Sequence, residues 1–372
     1  MEEKKLYPFR LCSIRDEYSW GCEEFLLADL GYRDTLVHEG WLAGNTMGEL
    51  METYLDRMVG DDVFDWYGRQ FPFQVKMLKV KGKMPLRVSP PDDYARNCCD
   101  ALGKEKFWYV VSAGKGSRLL LGFKRDADAG DFCEACADGN ADSMLNTLEP
   151  RSGQYFHIPP GTPHCAWGDV SIIEVSESSA MDYCLCSWGQ PVSAEEFDPA
   201  LDLAGALDFI DFTQFPGALL KGRSSEEGGR RDGDPEQITQ LLKLPQFSVS
   251  LLKLSDAMKI SSVNFDSCIA YTCVNGAFEL RVADSEDAPG RQDPTVNDLE
   301  MREHYAGERR RSSDAGTAPV ARVRAGETVL VPAECPDFFL LPAADCTVLL
   351  ETLVEHRVQD DPYLQDTGSI RK

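Results

Sequence analysis

No stretch of this chain reaches the roughly 20 consecutive apolar residues of a membrane-spanning helix, so no membrane association is expected. Basic charge is scarce as well: 38 Lys and Arg stand against 62 Asp and Glu, a formal net charge of -24 at pH 7. Phosphate backbones and anionic lipid surfaces both require a basic face, so neither nucleic acid nor membrane is expected as a partner. The start, Met1-Glu2-Glu3-Lys4-Lys5, leads into no apolar segment of a secretory leader, and a cytoplasmic location is the expectation. A second C-x2-C pair is missing. The 13 cysteines are scattered, with Cys98-Cys99, Cys133-x-x-Cys136 and Cys184-x-Cys186 the close groupings. One such pair makes no zinc ribbon, and reduced thiols behave as small apolar side chains, so these are read as structural. Histidine numbers only five in 372 residues, which limits any imidazole-rich metal centre.

What is present suits a folded chain of two or three domains: 43% hydrophobic and 10% aromatic residues over this length can bury a large core. From Gly31 to Gly68 the pattern is helical, with a capping box at Thr46-Met47-Gly48-Glu49 followed by Leu50, Tyr54, Leu55, Met58 and Val59. From Phe71 short β-like runs take over, at 71–80, 107–113, 118–123, 155–159 and 171–176, with a helical or irregular excursion over 124–148. A second β-rich block begins near Gln240, with strands expected at 247–254, 260–265, 269–274, 278–282, 321–323, 328–332, 338–341 and 347–353. These readings divide the chain into a helical segment plus first barrel over 1–221, a Gly- and Ser-rich linker over 222–239, and a second barrel over 240–357. The second barrel carries a polar insertion at 284–319, whose Arg309-Arg310-Arg311 run is read as solvated, and a tail follows over 358–372. An internal echo relates the blocks: Gly153-Gln154-Tyr155-Phe156-His157-Ile158-Pro159-Pro160 is matched by Gly326-Glu327-Thr328-Val329-Leu330-Val331-Pro332-Ala333. The second copy lacks the histidine and is read as structural.

The first copy continues into Gly161-Thr162-Pro163-His164: a strand, a Pro-Gly turn and a histidine directed back at the strand's open end. This is the second half of a cupin metal-binding signature, G-x5-P-x-G-x2-H. Around it stand Tyr18-Ser19-Trp20-Gly21, Gly40-Trp41-Leu42-Ala43-Gly44-Asn45, Phe71-Pro72-Phe73-Gln74-Val75-Lys76 and Pro91-Asp92-Asp93. Gly103-Lys104-Glu105-Lys106-Phe107-Trp108-Tyr109-Val110, Ile173-Glu174-Val175 and Ser187-Trp188-Gly189 follow in order. In this order and spacing the chain resembles the class I, zinc-dependent mannose-6-phosphate isomerases in their short bacterial two-cupin form. The resemblance implies a mainly β fold, a bicupin of two jelly-roll barrels with a few helices near the N-terminus and in connections. It also implies an aldose–ketose chemistry in which a cation stabilises the enediolate while an acid/base moves the proton.

Set against that family, the metal half of the site is altered. The family holds zinc with a Gln-x-His pair, a Glu and a later His, and His164 is the one position kept. The Gln-x-His-Pro-Asp-Asp stretch is here Val88-Ser89-Pro90-Pro91-Asp92-Asp93, the family Glu is Lys106, and the family's catalytic Arg falls on Cys184. One imidazole does not hold zinc. No cofactor is therefore expected, and zinc only if Cys165, Glu174 or His157 rebuilds a site around His164. His38, His304 and His356 match no ligand position. Between Lys76 and Lys106 the chain carries eight cations against four anions, an island suited to a small anionic ligand. The resemblance places Lys76, Lys104 and Lys106 at or beside the pocket; Lys76 and Glu174 are then expected to contact the sugar, Lys106 to stand near the metal position, and Arg87 or Lys104 to hold the phosphate. Three functions follow as expectations: a hexose 6-phosphate binding protein with isomerase activity reduced or lost; an active aldose–ketose isomerase using Lys106 and Glu174, without zinc or with a rebuilt metal site; or a non-catalytic bicupin, an interaction or regulatory protein that contacts an unidentified protein partner through 284–319.

Overall fold

The computed structural model describes residues 4–190, 199–220, 222–224, 237–261, 265–283 and 321–355. The polar insertion at 284–319, the tail at 358–372, most of the expected linker, and His304 and His356 lie outside the described residues.

Two antiparallel barrels make up the molecule, each from a seven-stranded sheet facing a smaller one. In the first barrel the large sheet runs, in spatial order, Arg223–Ser224, Gln154–Ile158, Lys106–Ala113, Val170–Glu177, Phe73–Val80, Gly21–Leu27 and Ile14–Tyr18. Its partner sheet runs Tyr183–Cys186, Leu86–Val88, His164–Trp167, Arg118–Phe123 and Leu145–Leu148. The second barrel pairs a seven-stranded sheet with the four strands Met258–Ile260, Phe338–Pro342, Ala277–Val282 and Ala321–Arg324.

Strand alternation explains why the Phe73–Val80 run reads as almost continuously buried. Leu78 and Val80 point into the first barrel beside Trp108, Val110 and Ile172. Phe73, Val75 and Met77 point the other way, where they meet Val249, Leu251 and Leu330 of the second barrel and Met47, Leu50 and Met58 of the helices. The two large sheets thus share one apolar layer, and a third cluster around Tyr271, Phe278 and Phe338 fills the second barrel.

Two expectations are corrected. Helix does not occupy 31–68: a short strand at Leu36–Val37 comes first, and the helices are Met47–Tyr54, Asp56–Val59 and Asp61–Tyr67. The capping box at Thr46 and Glu49 forms as read. The helices are broken where Leu55 adopts φ 51° and Gly60 φ 100°. A side chain at Gly60 would also come within 2.3 Å of the Asp266 carbonyl oxygen. Second, the strand pairing crosses the expected division at 221. Phe9–Cys12 hydrogen-bonds to Thr328–Val331, and Leu36–Val37 joins the same sheet, so the first residues complete the second barrel. Asp266 ties the halves further by accepting from the amides of Asp61 and Asp62 at 3.0 and 2.8 Å, capping a helix that has no side-chain cap of its own.

Candidate functional site

The six candidate site residues, Lys76, Arg87, Lys104, Lys106, His164 and Glu174, come together inside the first barrel, and each is at most 3% exposed. Register explains how. On the large sheet, Trp108, Glu174 and Lys76 stand opposite one another on three adjacent strands. The next row of the same face is Lys106, Ser176 and Gln74. Across the barrel, His164 pairs with Arg87 on the smaller sheet. Two residues that sequence reasoning left without a role complete the cluster: Glu23 on Gly21–Leu27, and Asp182 just before Tyr183–Cys186.

These side chains form one ionic network. Lys76 Nζ lies 3.1 Å from Glu174 Oε1 and 3.3 Å from Glu23 Oε2. Arg87 Nη1 donates to the other oxygen of Glu23 at 2.5 Å. Asp182 is shared: Oδ2 accepts from Lys104 Nζ at 3.0 Å, and Oδ1 from Lys106 Nζ at 2.5 Å and Ser89 Oγ at 3.0 Å. Among the described residues the cluster joins four cations and three carboxylates, and His164 is held neutral. Burial, then the neighbouring Lys106, pushes His164 down to about 3. Its Nδ1 faces the Thr162 carbonyl at 2.8 Å and so carries the proton, which turns the Nε2 lone pair to Lys106 Nζ at 3.0 Å.

Burial also works against charge on the lysines. For Lys76 the carboxylates of Glu174 and Glu23 more than offset it, and its pKa is raised. For Lys104 burial wins over Asp182, with Lys76 and Lys106 adding repulsion, and it falls to about 8. Burial would raise both Glu174 and Asp182; the surrounding lysines reverse this and hold both well below the carboxylate range.

The donor set does not fit zinc. The one imidazole lone pair is turned to a lysine nitrogen, and a tetrahedral site needs three or four Lewis bases around one point. Among the described residues no group of three or more His, Cys, Asp and Glu side chains could hold a metal. Of the proposed replacement ligands, only Glu174 enters the network. His157 faces the other side of its strand, where Nε2 meets Glu105 Oε2 at 3.1 Å. Cys165 is a buried thiol whose charged neighbours are Lys83 and Asp142, and its pKa is raised, chiefly by burial. Lys79 and Lys83 of the cationic island stay outside the network as well. Lys79 pairs with Glu24 at 2.7 Å, and Lys83 lies over Trp188 at 3.4 Å and Trp167 at 4.5 Å. No described helix is long and apolar enough to cross a membrane.

The paired barrels and the charged interior of the first define a two-barrel cupin protein. No family model matches the chain. Among curated relatives, the mannose-6-phosphate isomerase of Streptococcus mutans is 29% identical over 113 residues, 30% of this chain and 35% of that protein. The mannose-6-phosphate isomerase ManA of Bacillus subtilis is 24% identical over 186 residues, 49% of this chain and 56% of that protein. The chain therefore spans about half or less of the length of the curated relatives it matches. Among solved structures, the mannose 6-phosphate isomerase of Bacillus subtilis superposes with a TM-score of 0.71 at 16% identity, covering 93% of this chain and 99% of that one. A single-residue variant of the Salmonella typhimurium phosphomannose isomerase gives 0.65 at 11% identity, covering 94% and 100%. The structural likeness shows the fold, and the curated relatives to which parts of the chain are similar are mannose-6-phosphate isomerases.

Proposed function

We propose that the chain is an isomerase-like protein of carbohydrate metabolism that binds a hexose 6-phosphate in its first barrel without zinc, and that its isomerase activity is reduced or lost. The observation that supports this reading is the buried network of Lys76, Arg87, Lys104 and Lys106, which among the described residues meets the three carboxylates Glu23, Glu174 and Asp182. A cluster of four buried cations suits an anionic ligand, whose charge would lower the cost of holding them away from water. The Gln74 side-chain carbonyl oxygen and the Ser176 hydroxyl, in the row of Lys106, are buried without a hydrogen-bond partner among the described residues, which suits a polyhydroxylated ligand. Metal-free isomerisation with Glu174 as base is disfavoured by the same contacts, since a carboxylate held well below its ordinary range is a weak base toward carbon.

The test is calorimetric titration of chelator-treated protein with mannose 6-phosphate and fructose 6-phosphate. Saturable binding that weakens in Lys104→Met supports the reading, and no heat at millimolar ligand overturns it. Conversion of one sugar phosphate to the other in the presence of chelator would instead establish the enzymatic alternative.

A further inference from the structure

We propose that Lys106 is the resident cation of the first barrel, a tethered ammonium holding the position of a divalent metal, and that one acidic substitution there turns the barrel into a cation site. The inference goes beyond sugar binding and does not depend on it: a failed sugar titration leaves it standing, and its own failure leaves sugar binding open.

Three observations support it. The Lys106 nitrogen lies 3.0 Å from His164 Nε2, the atom whose lone pair the Thr162 contact makes available. A metal bound to that lone pair would sit about 2.0–2.1 Å from it, within the space the lysine nitrogen fills. The same nitrogen takes Asp182 Oδ1 at 2.5 Å, the other base within reach. Lysine offers donors and no lone pair, so it is neither ligand nor spectator there: it satisfies two bases that a cation would otherwise share. The sign of the cluster agrees. Among the described residues the cluster has four cations and three carboxylates, so a dication would enter beside four like charges.

Lys106→Glu reverses these conditions. It removes the ammonium from His164 Nε2 and Asp182 Oδ1, leaving Asp182 Oδ1 its contact with Ser89 Oγ at 3.0 Å, puts a carboxylate at that position, and leaves three cations and four carboxylates among the described residues. The third and fourth positions around a metal would be water or Glu174, which lies on the neighbouring strand with its register partner Trp108 two residues from position 106.

The experiment titrates chelator-treated, dialysed full-length protein with Co²⁺, reading stoichiometry by calorimetry and the ligand field by visible absorption. The expected result is no stoichiometric binding to the wild type and one equivalent in Lys106→Glu, tighter by at least about tenfold, or about 1.4 kcal/mol. Adding His164→Ala to that variant should abolish the absorption bands. Should Lys106→Glu fail to fold, Lys106→Met frees the same two bases without adding charge and should bind Co²⁺ more tightly than the wild type. In the wild type itself, the ring nitrogen resonances of His164 should not move when Zn²⁺ is added. One equivalent of metal on the wild type that His164→Ala removes, a zinc-induced shift of those resonances, or a folded Lys106→Glu that binds nothing would each overturn the proposal.

Discussion

The indole N–H of Trp108 donates to Oε2 of Glu174 at 2.7 Å, across two neighbouring strands of the first barrel. Lys76 lies on the other oxygen of that carboxylate at 3.1 Å, so Glu174 is held from both sides. A hydrogen bond to a buried carboxylate contributes about 1.5–3 kcal/mol. Trp108→Phe keeps most of the ring and removes the donor, and denaturant unfolding should show a loss of that size. An unchanged midpoint would mean that Glu174 finds another partner and that its orientation does not depend on the indole.

Ser176 makes the opposite prediction. Its hydroxyl is buried without a hydrogen-bond partner among the described residues, between Lys106 and Gln74 in register. Removing an unsatisfied buried hydroxyl relieves a desolvation cost. Ser176→Ala should therefore leave stability unchanged or raise it by up to about 1 kcal/mol, while weakening sugar phosphate binding. Loss of stability with unchanged affinity would show that the hydroxyl serves the fold and not a ligand.

Lys104 gives the network a pH dependence whose sign is fixed by its environment. Burial lowers it from 10.5 to about 8, so the folded state releases its proton first. Between about pH 8 and 10.5 the unfolded chain binds more protons at this position, and the stability of the wild type relative to Lys104→Met should rise across that window. Unfolding curves for both proteins at matched pH measure it. A relative stability that stays level or falls as pH rises would contradict the buried, carboxylate-sharing position of this lysine.

Much of the fold was legible because barrel strands announce themselves in runs such as Arg118–Phe123, which the structure reproduces to the residue. The strands at Phe9–Cys12, Ile14–Tyr18 and Gly21–Leu27 were not, since their charged residues mask alternation: Glu23 points into the barrel and Glu24 out to Lys79. Two adjacent glutamates on one strand must face opposite ways, and that was the available signal for a buried carboxylate. Asp182 carried no such signal. It owes its place between Lys104 and Lys106 to the path of the chain from Val170–Glu177 to Tyr183–Cys186, which joins the two sheets and which no local pattern encodes. Resemblance found the lysines and His164; it could not find partners that the family pattern does not specify.

Glu177 stands behind the network on the segment that leads to Asp182. It is 2% exposed, and its Oε2 accepts from the amide of Glu105, between the two site lysines, at 2.8 Å. Burial raises it, then Asp92; the Glu105 amide opposes them and the Glu105 carboxylate adds to them, leaving Glu177 at about 8 against an ordinary 4.5. A carboxyl raised in the folded state contributes stability that is complete below pH 4.5 and is lost as pH climbs through about 8. Glu177→Gln keeps the acceptor and cannot ionise. The wild type should therefore lose stability relative to Glu177→Gln from about pH 4.5 to 8, by at most about 1.4 kcal/mol per pH unit, and then level off. Urea unfolding of both proteins at unit intervals across that window decides it. A difference that does not change with pH would place Glu177 as an ordinary ionised carboxylate, and the chain between the Lys106 strand and Asp182 would then need another source of its order.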